Sequence, residues 1–212
     1  MTTLPLREVS VPRAERAVTY FTHPHALVET PYIGEGTRVW AFAHVMAGAV
    51  VGAHCNLGDH CFIESGAHVG DRVTVKNGVA VWRGVHIDND AFIGPGVVFT
   101  NDRRPRAFIR VPEGELLTTR VGRGATLGAR ATLLCGLEIG EYAFIAASTT
   151  VTRDVPGHAL MMGTPARQRG WVCRCAHQLE AAGAGRWFCP VCDLHYRADG
   201  YSLVHLPKPS DR

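Results

Sequence analysis

The sequence lacks any run of apolar residues that approaches the roughly eighteen needed to cross a membrane. Its opening stretch, MTTLPLREVSVPRAER, has no apolar core of the kind that a secretory signal peptide carries. A strong charge bias is also missing, because 22 Lys and Arg against 19 Asp and Glu leave a net charge of only +3. We therefore expect a cytoplasmic protein with no membrane span and no nucleic-acid partner.

A six-residue period dominates the chain instead. From Leu27 to Phe99 every sixth residue is Leu, Ile, Val or Phe, which gives thirteen positions in one frame. The period resumes at Val121 and runs to Val151 with six more positions. It matches neither an α-helix, at about 3.6 residues, nor a simple strand, at about two. It is typical of a hexapeptide β-helix, in which each hexad forms one short strand and one corner.

The residues around each aliphatic position agree with this all-β fold. The position that follows is Gly in eight of the nineteen hexads, which suits a corner that needs backbone freedom. Three hexads would close a triangular turn of eighteen residues, so the two blocks predict about six turns. Because aliphatic side chains fill such a coil, substrates are expected on its outside.

The period also divides the chain. We predict an N-terminal arm at 1–22, a parallel β-helix at 23–158 with an extruded loop at 101–120, a connector at 159–170 that has left the coil, a zinc-ribbon-like unit at 171–205, and a tail at 206–212. The extruded loop, NDRRPRAFIRVPEGELLTTR, carries the five arginines 103, 104, 106, 110 and 120 against three acidic residues. Such an excess favours a phosphorylated ligand, although a solvated loop with exposed arginines has the same composition.

Four cysteines cluster near the C-terminus as C-R-C, thirteen residues, and C-P-V-C. Cys173, Cys175, Cys189 and Cys192 could close a tetrahedron around Zn²⁺ and leave no position for water, which would make the site structural. A unit of about 35 residues has little core of its own, so a metal would stabilise it. Disulfides or free thiols are the alternatives.

Several strings of the sequence resemble one family. RVWAFAHV, VVFTNDRRPR, GATLGA, and YAFI followed by DVPGHALMMGTPARQRGW are similar to the nucleotide-sugar N-acetyltransferases of the left-handed β-helix group, over residues 23–172. The resemblance implies left-handed winding and a homotrimer with acetyl-CoA in the groove between neighbouring coils. It also implies acetylation of the 3-amino group of a UDP- or dTDP-linked amino sugar, bound near the loop. Two strings depart from the family: VKNGVAVWRGV leaves the sugar open, and IAASTTVT lies in the region expected to hold the pantetheine arm.

Candidate catalytic residues follow from this resemblance and from columns of side chains eighteen residues apart. Asn101 matches the asparagine that binds the attacking amine in the family, although it could simply cap a corner. Asp102 could accept the amine proton or fix the loop. His60, stacked between Phe42 and Gly78, could serve as a base or contact the substrate.

Binding residues are assigned in the same way. Substrate contacts are expected from His44, Asn77, Arg83 and Arg106, of which His44 could equally line the trimer seam and Arg106 could meet the pyrophosphate. Cofactor contacts are expected from Gly128, Ala146 and Arg167, the last with a CoA phosphate; Arg106 and Arg167 could instead be ordinary surface charges. The pairs His68 and His86, and Arg72 and Asp90, are each eighteen apart, which predicts a surface histidine ladder and an ion pair.

The predicted activity is transfer of an acetyl group from acetyl-CoA to the amine of a nucleoside-diphosphate-linked sugar. Two other classes stay open: a metal-dependent enzyme of the γ-carbonic anhydrase type, and a non-catalytic scaffold. No histidine pair has the H-x4-H spacing of the first class. Acetylation of a hydroxyl is a variant of the transferase, and it would require a strong base such as His60.

Overall fold

The computed structural model describes residues 19–109 and 112–206, and these residues form almost only short β-strands. Their one helical segment is a 3₁₀ turn at Glu113–Glu115. No helix in the described ranges is long and apolar enough to cross a membrane. The predicted tail beyond Leu206 and most of the predicted arm lie outside the described residues, as does Arg110 of the loop.

Three parallel sheets form the sides of the coil. Sheet A contains, in spatial order, Phe21–Thr22, Arg38–Val39, Asn56–Leu57, Thr74–Val75, Phe92–Ile93, Thr126–Leu127, Phe144–Ile145, Ala159–Met162 and the antiparallel Arg167–Trp171. Sheet B contains Leu27–Val28, His44–Val45, Phe62–Ile63, Ala80–Val81, Val98–Phe99, Thr132–Leu133 and Thr150–Val151. Sheet C contains Val50–Val51, His68–Val69, Val85–Ile87, Thr119–Val121 and Glu138–Ile139.

The register between coils is eighteen residues through most of the stack. Leu57 pairs with Val75, Ile63 with Val81, and each of these side chains is fully buried. From Val39 to Val151, one buried Val, Leu, Ile or Phe from each hexad thus fills the interior, as the six-residue period predicts. The prediction of an all-β solenoid of stacked parallel strands is confirmed.

The first coil is one residue shorter than the period implies, and the assignment of Leu27 to the interior is wrong. Val28 pairs with Val45 at a separation of seventeen residues, so Leu27 turns outward with 52% of its surface exposed. A tight corner absorbs the missing residue: buried Thr30 donates its hydroxyl to the carbonyl of Ala49 at 2.7 Å. The coil also begins at Phe21, two residues before the predicted boundary.

The coil does not end after Val151, and the prediction that 159–170 has left the coil is wrong. Val155 bridges to Ile139 and Met161 pairs with Ile145, both at a separation of sixteen residues. This shorter coil breaks the six-residue frame while it keeps the inward side chains in line. Arg167–Trp171 then folds back against Ala159–Met162 in the antiparallel direction.

The remaining strands form an antiparallel C-terminal sheet. Its strands are Glu180–Gly183, Arg186–Phe188, His195–Asp199 and Ser202–Leu206. Tyr196, Leu203 and Leu179 form a small core with two of the cysteines, and Trp187 meets Trp171 with ring centroids 6.0 Å apart. The hydroxyl of Ser202 donates to the carbonyl of Gly157, 3.1 Å away, so this sheet is also tied to the last coil.

Three rows of left-handed corner residues separate the sheets. The AB corner holds Phe42, His60, Gly78, Gly96, Arg130 and Ser148; the BC corner Gly48, Gly66, Gly84 and Gly136; the CA corner Gly36, His54, Arg72, Asp90, Gly124, Tyr142 and His158. Non-glycine residues tolerate positive φ here because corner amides bond to the preceding coil, as the N–H of His60 does to Ala41.

Candidate functional site

The extruded loop leaves the coil at the BC corner. Phe99 ends a strand of sheet B, and Thr119 already begins a strand of sheet C, so the loop ends at residue 118 instead of the predicted 120. Thr119 is buried, and its hydroxyl accepts a hydrogen bond from the N–H of Gly136 at 3.0 Å. This bond fixes the point at which the chain returns to the coil.

A cleft of about 530 Å³ opens where the loop begins, and its size suits a small-molecule ligand. The lining residues are Thr100, Asp102, Arg103, Arg104, Leu134, Cys135, Leu137 and Thr152. Two guanidinium groups and one carboxylate therefore face an apolar wall. The wall residues were missed by the sequence reading, because the loop insertion hides that Leu134 follows Thr100 in the same column of sheet B.

Asp102 is held at the start of the loop by a local hydrogen bond. Its Oδ1 accepts from the N–H of Arg104 at 2.7 Å, which closes an Asx turn. Asp102, which lines the cleft, and its neighbour Asn101 are both half-buried. Arg103 reaches across the BC corner, where its guanidinium lies 3.6 Å from the position of a Cβ on Gly136. A Cβ on Gly136 would meet Leu117 more closely, at 3.2 Å, so the glycine leaves room mainly for that leucine.

Arg83 lies one coil before Asn101 on the BC corner, since Ala80 pairs with Val98 in the same register. Its side chain runs toward the preceding coil, where Nε donates to the carbonyl of Ser65 at 3.2 Å. The stem passes over Gly66, whose Cβ position is 3.3 Å from Cγ of Arg83. Arg83 thus lies near the loop, with its Nε bonded to the preceding coil.

His60 lies on the AB corner with Asn77. Its exposed ring stacks on Phe42 at a centroid distance of 5.0 Å, and Phe42 stacks in turn on His25 at 5.6 Å. On the other side of His60 the column continues with Gly78, where a Cβ would meet nothing within 4 Å. The imidazole therefore has open space on one face, as its place in the column predicts.

The residues expected to bind the substrate are not brought together within one chain. His60 and Asn77 lie on the AB corner, whereas Asn101 and Arg83 lie on the BC corner, with sheet B between them. His44 lies on sheet B, where its Nε2 is 3.0 Å from Oε2 of Glu29. That hydrogen bond holds the pKa of the Glu29 carboxyl below its usual value. Arg106 is exposed in the first half of the loop.

The residues expected to bind the cofactor all lie on sheet A. The N–H of Gly128 donates to the carbonyl of Ile145 at 2.7 Å, and the N–H of Ala146 to that of Met161 at 2.9 Å. A Cβ on Gly128 would lie 2.7 Å from the carbonyl carbon of Ala146, so this corner requires glycine. Arg167 is exposed at the edge of the same sheet and lines a smaller cleft of about 210 Å³.

The four C-terminal cysteines converge on one point. Their sulfur atoms all lie within 4.8 Å of one another, with separations of 3.4 Å for Cys173 and Cys192 and 3.6 Å for Cys175 and Cys189. These distances are too long for disulfides, at about 2.05 Å, and close to the roughly 3.8 Å expected between sulfurs around one zinc ion. The donor set therefore fits a tetrahedral metal.

Neighbouring groups affect the four thiols unequally. Burial acts to raise the pKa of Cys189, but the N–H groups of Cys192 and Val191 outweigh it and lower the pKa to about 7. Burial and the adjacent sulfurs raise the pKa of Cys192 to about 12. The hydroxyl of Tyr196 lies 3.0 Å from Sγ of Cys173. Four sulfurs this close cannot all ionise without a cation to neutralise them.

His158 joins the end of the coil to the cysteine unit, and nothing in the sequence singled it out. It is buried, its Nδ1 lies 2.9 Å from the carbonyl of Val172, and its ring contacts Tyr142 and Tyr196 at 5.2 and 4.9 Å. Burial lowers the pKa of His158, so the neutral imidazole is favoured. It follows its column neighbour Tyr142 by sixteen residues instead of eighteen, which explains why the period gave no signal.

Two other column predictions are confirmed. The rings of His68 and His86 stack at 5.9 Å on sheet C, and burial with nearby Arg120 lowers the pKa of His86. Arg72 donates its Nε–H to Oδ1 of Asp90 at 2.6 Å. Both pairs are at least partly exposed, so they contribute little to stability.

Comparison with known proteins agrees with the geometry. The model of the bacterial transferase hexapeptide (six repeats) matches residues 30–65, and that of the hexapeptide repeat of succinyl-transferase matches 48–83 and 118–153. The dTDP-3-amino-3,6-dideoxy-alpha-D-galactopyranose 3-N-acetyltransferase of Aneurinibacillus thermoaerophilus is 48% identical over 168 residues, which cover 76% of this chain and 83% of that protein.

More distant relatives share the repeats. The bifunctional protein GlmU of Sorangium cellulosum is 27% identical over 75% of this chain, which spans about a third (32%) of that protein. Among solved structures, a mutant GDP-perosamine N-acetyl transferase from Caulobacter crescentus, in complex with CoA and GDP-perosamine, is 25% identical with a TM-score of 0.39. That match covers 72% of this chain and 58% of the other.

Proposed function

The chain belongs to the hexapeptide-repeat transferases, among the nucleotide-sugar N-acetyltransferases, and on that premise we propose that it acetylates the amino group of a nucleoside-diphosphate-linked 3-amino sugar with acetyl-CoA. One observation carries the proposal: 48% identity over 83% of a relative named as a dTDP-3-amino sugar 3-N-acetyltransferase. The cleft at the base of the loop supports it, because the guanidinium groups of Arg103 and Arg104 line it together with the carboxylate of Asp102, the neighbour of Asn101.

The reaction joins the neutral amine nitrogen to the thioester carbon and breaks the carbon–sulfur bond. Asn101 orients the amine, and corner N–H groups of the coil stabilise the oxyanion of the tetrahedral intermediate. Asp102 receives the amine proton on the carboxylate oxygen that is not bonded to Arg104. CoA leaves as a thiolate and takes up that proton, so the products are the acetamido sugar and CoA. His60 contacts the substrate or assists the proton transfer.

The nucleotide end of the sugar substrate is assigned to the loop. Arg103 and Arg104 line the cleft, and Arg106 is exposed farther along the loop. Guanidinium groups pair with pyrophosphate oxygens through two parallel hydrogen bonds. Arg83, Asn77 and His44 are assigned to the rest of the substrate, the first beside the loop and the other two toward the AB corner.

Acetyl-CoA is assigned to the grooves of sheet A. The pantetheine arm would run past Gly128 and Ala146, where small residues keep the corner low, and Arg167 would meet a CoA phosphate. This arrangement carries the thioester toward the AB corner and thus toward His60.

We propose a homotrimer of left-handed coils. The distribution of exposed apolar side chains supports subunit contacts around the AB corner: Phe42 is 57% exposed there, flanked by Phe21 on sheet A and Val98 on sheet B at 45% and 48%. The outward residues of sheet C are mostly charged or histidine, as in the column of His68, His86, Arg120 and Glu138. A second chain could then bring its AB corner to the BC corner of the first.

We also propose that the cysteine unit, residues 171–205, is a separate module held by one structural zinc ion. Cys173, Cys175, Cys189 and Cys192 would supply all four ligands as thiolates, so zinc would stabilise the fold and take no part in acetyl transfer. Four close thiols and three further buried free cysteines suit a reducing compartment, which supports the cytoplasm as the location.

Acetyl transfer is tested by incubating the protein with acetyl-CoA and a panel of dTDP- and UDP-linked 3-amino sugars. We expect release of CoA thiol and an acetamido product by mass spectrometry with at least one amino sugar. The matched sugar with a 3-hydroxyl tests O-acetylation and should give no product. Absence of transfer to every amine, in protein that is folded and trimeric, would refute the proposal.

A further inference from the structure

We propose that the C-terminal unit contributes Tyr201 to the acetyl-CoA site, where its ring stacks on the adenine base. The inference rests on the proposed function in taking acetyl-CoA as the donor. It adds to that function a part of the chain that lies beyond the matched hexapeptide repeats, which end at residue 153. The cysteine unit would then help to bind the cofactor.

Two adjoining clefts form a groove at the last coil. A cleft of about 580 Å³ is lined by Tyr201, Glu138, Gly140, Val155 and the trio Arg153, Asp154 and Pro156. The same trio also lines the smaller cleft of about 210 Å³ that contains Arg167. Because the two clefts share these residues, they adjoin one another, with Tyr201 lining one and Arg167 lining the other. The larger cleft falls in the range of about 300–1,000 Å³ that is typical of ligand sites.

Tyr201 is presented to this groove by a fixed hairpin. It sits in the turn between His195–Asp199 and Ser202–Leu206, and its neighbour Ser202 is bonded to the carbonyl of Gly157 in the coil. The side chain of Tyr201 is 92% exposed, whereas Tyr196 of the same hairpin is fully buried. An exposed ring on an anchored turn, at the mouth of a cleft, is a platform for a planar base.

The charges give the ligand a direction. Arg153 and Arg167 are exposed, and no ion pair among residues 19–109 and 112–206 involves either guanidinium. Asp154 is engaged with the coil, since its Oδ1 accepts from the N–H of Glu138 at 2.9 Å. Glu138 adds an exposed carboxylate at the Tyr201 end, where it can accept from the exocyclic amine of a purine. Phosphates therefore fit the Arg167 end and the base fits the Tyr201 end.

The test compares two acetyl donors, acetyl-CoA and acetyl-pantetheine, which lacks the adenine nucleotide. In Tyr201→Ala we expect KM for acetyl-CoA to rise about 5- to 100-fold with kcat unchanged, because stacking of one base is lost. KM for acetyl-pantetheine should not change. Tyr201→Phe keeps the ring and should behave like the unaltered protein. Tyr32→Ala, which removes an exposed tyrosine elsewhere on the coil, is the matched control.

Two results would overturn the assignment of Tyr201. One is an unchanged KM for acetyl-CoA in Tyr201→Ala; the other is an equal rise for both donors, which would indicate a structural effect. Calorimetry with CoA gives the same decision without turnover. The Kd for CoA should rise in Tyr201→Ala but not in Tyr201→Phe or Tyr32→Ala, and equal Kd values in all of these proteins would refute the assignment. The proposed function is judged separately. If the unaltered protein transfers acetyl groups to no amino sugar, that function is refuted, and the Kd values for CoA still decide on the role of Tyr201.

Discussion

His60 and Asn101 lie on different corners of the same coil stack, separated by the width of sheet B. Their separation of 41 residues is two coils of eighteen plus nearly one hexad, which moves the second residue to the next corner. One chain therefore cannot direct both side chains to the same amine. If both act in acetyl transfer, the site must combine the AB corner of one subunit with the BC corner of another.

This arrangement predicts complementation between inactive variants. His60→Phe keeps the stack on Phe42 but removes the ring nitrogens, and Asn101→Ala removes the amide. Each variant alone should be nearly inactive. Trimers assembled from an equal mixture should regain about a quarter of the original activity, because about one site in four receives both native side chains. Activity that stays at the level of the separate variants would show that the two residues do not share a site between subunits, and full activity of His60→Phe alone would place His60 outside catalysis.

Asn101→Ala should reduce kcat/KM about 100-fold, since a group that orients the nucleophile is lost. The melting temperature should change little, because no hydrogen bond of the described coil depends on this side chain. Asn89→Ala is the contrasting control: Oδ1 of Asn89 accepts from the N–H of Asp71 at 2.7 Å, so its loss should lower stability and spare turnover. Steady-state kinetics and thermal unfolding of both variants test this prediction. If Asn101→Ala lowers the melting temperature as well as kcat/KM, the result would indicate that Asn101 caps a corner.

Phe42→Asp should dissociate the trimer. Phe42 has a φ of 59°, a conformation that aspartate tolerates, so the backbone is preserved while a charge enters the apolar patch. Light scattering should then give about 23 kDa in place of about 69 kDa, three chains of 23.0 kDa each. His54→Asp, at the matching position of the CA corner with a φ of 55°, should stay trimeric. The reverse pattern would assign the interface to the other corner.

Cys189→Ser should abolish metal binding. Elemental analysis of the unaltered protein should find about one zinc per chain, and the variant should lose it together with the hydrogen-exchange protection of 171–205. The coil up to Val151 should keep its protection, because its core contains none of the four ligands. Cys55→Ala, a buried cysteine of the coil, should retain the zinc. Retention of zinc in Cys189→Ser would contradict a four-cysteine site.

His158 predicts a pH dependence of stability. Because burial lowers its pKa in the folded state, the unfolded chain binds the proton more readily. Its contribution is thus fully present above the unfolded value of about 6.5 and is lost as pH falls toward the folded value. His158→Asn tolerates the φ of 63° and cannot titrate, so its unfolding free energy should fall less between about pH 7 and pH 5. Urea titrations in the presence of excess zinc measure the unfolding free energy of both proteins at each pH. If it falls equally in His158→Asn and in the unaltered protein, His158 is not the cause of the pH dependence.

Most of the coil could be predicted because its order is local and periodic. Each hexad repeats the same choice of an inward aliphatic residue, so Leu57, Ile63 and their equivalents are found by counting. Counting fails where a coil is shorter than eighteen residues. In the seventeen-residue first coil the inward residue is Val28 instead of Leu27, and in the sixteen-residue last coil it is Met161, which lies outside the six-residue frame. Hydrogen bonds such as that of Thr30 to Ala49 absorb the difference, and they have no signature in the period.

The candidate site was less predictable for a different reason. Spacing indicates which residues share a column, and it correctly brought the four cysteines into one group. Contacts between distant segments, such as Tyr196 with Cys173 or Ser202 with Gly157, depend on how the C-terminal sheet docks on the last coil. No repeat encodes that docking.

The antiparallel strand Arg167–Trp171 has a consequence for the solution behaviour of the whole molecule. Stacked parallel coils expose a free backbone edge at each end, and a bare edge of this kind can recruit the coil of another molecule and grow into a fibre. By reversing direction against Ala159–Met162, this strand replaces the repeating surface with one that a further coil does not match. The hairpin therefore blocks parallel extension of sheet A at the carboxyl end, which opposes growth of the stack into a fibre there.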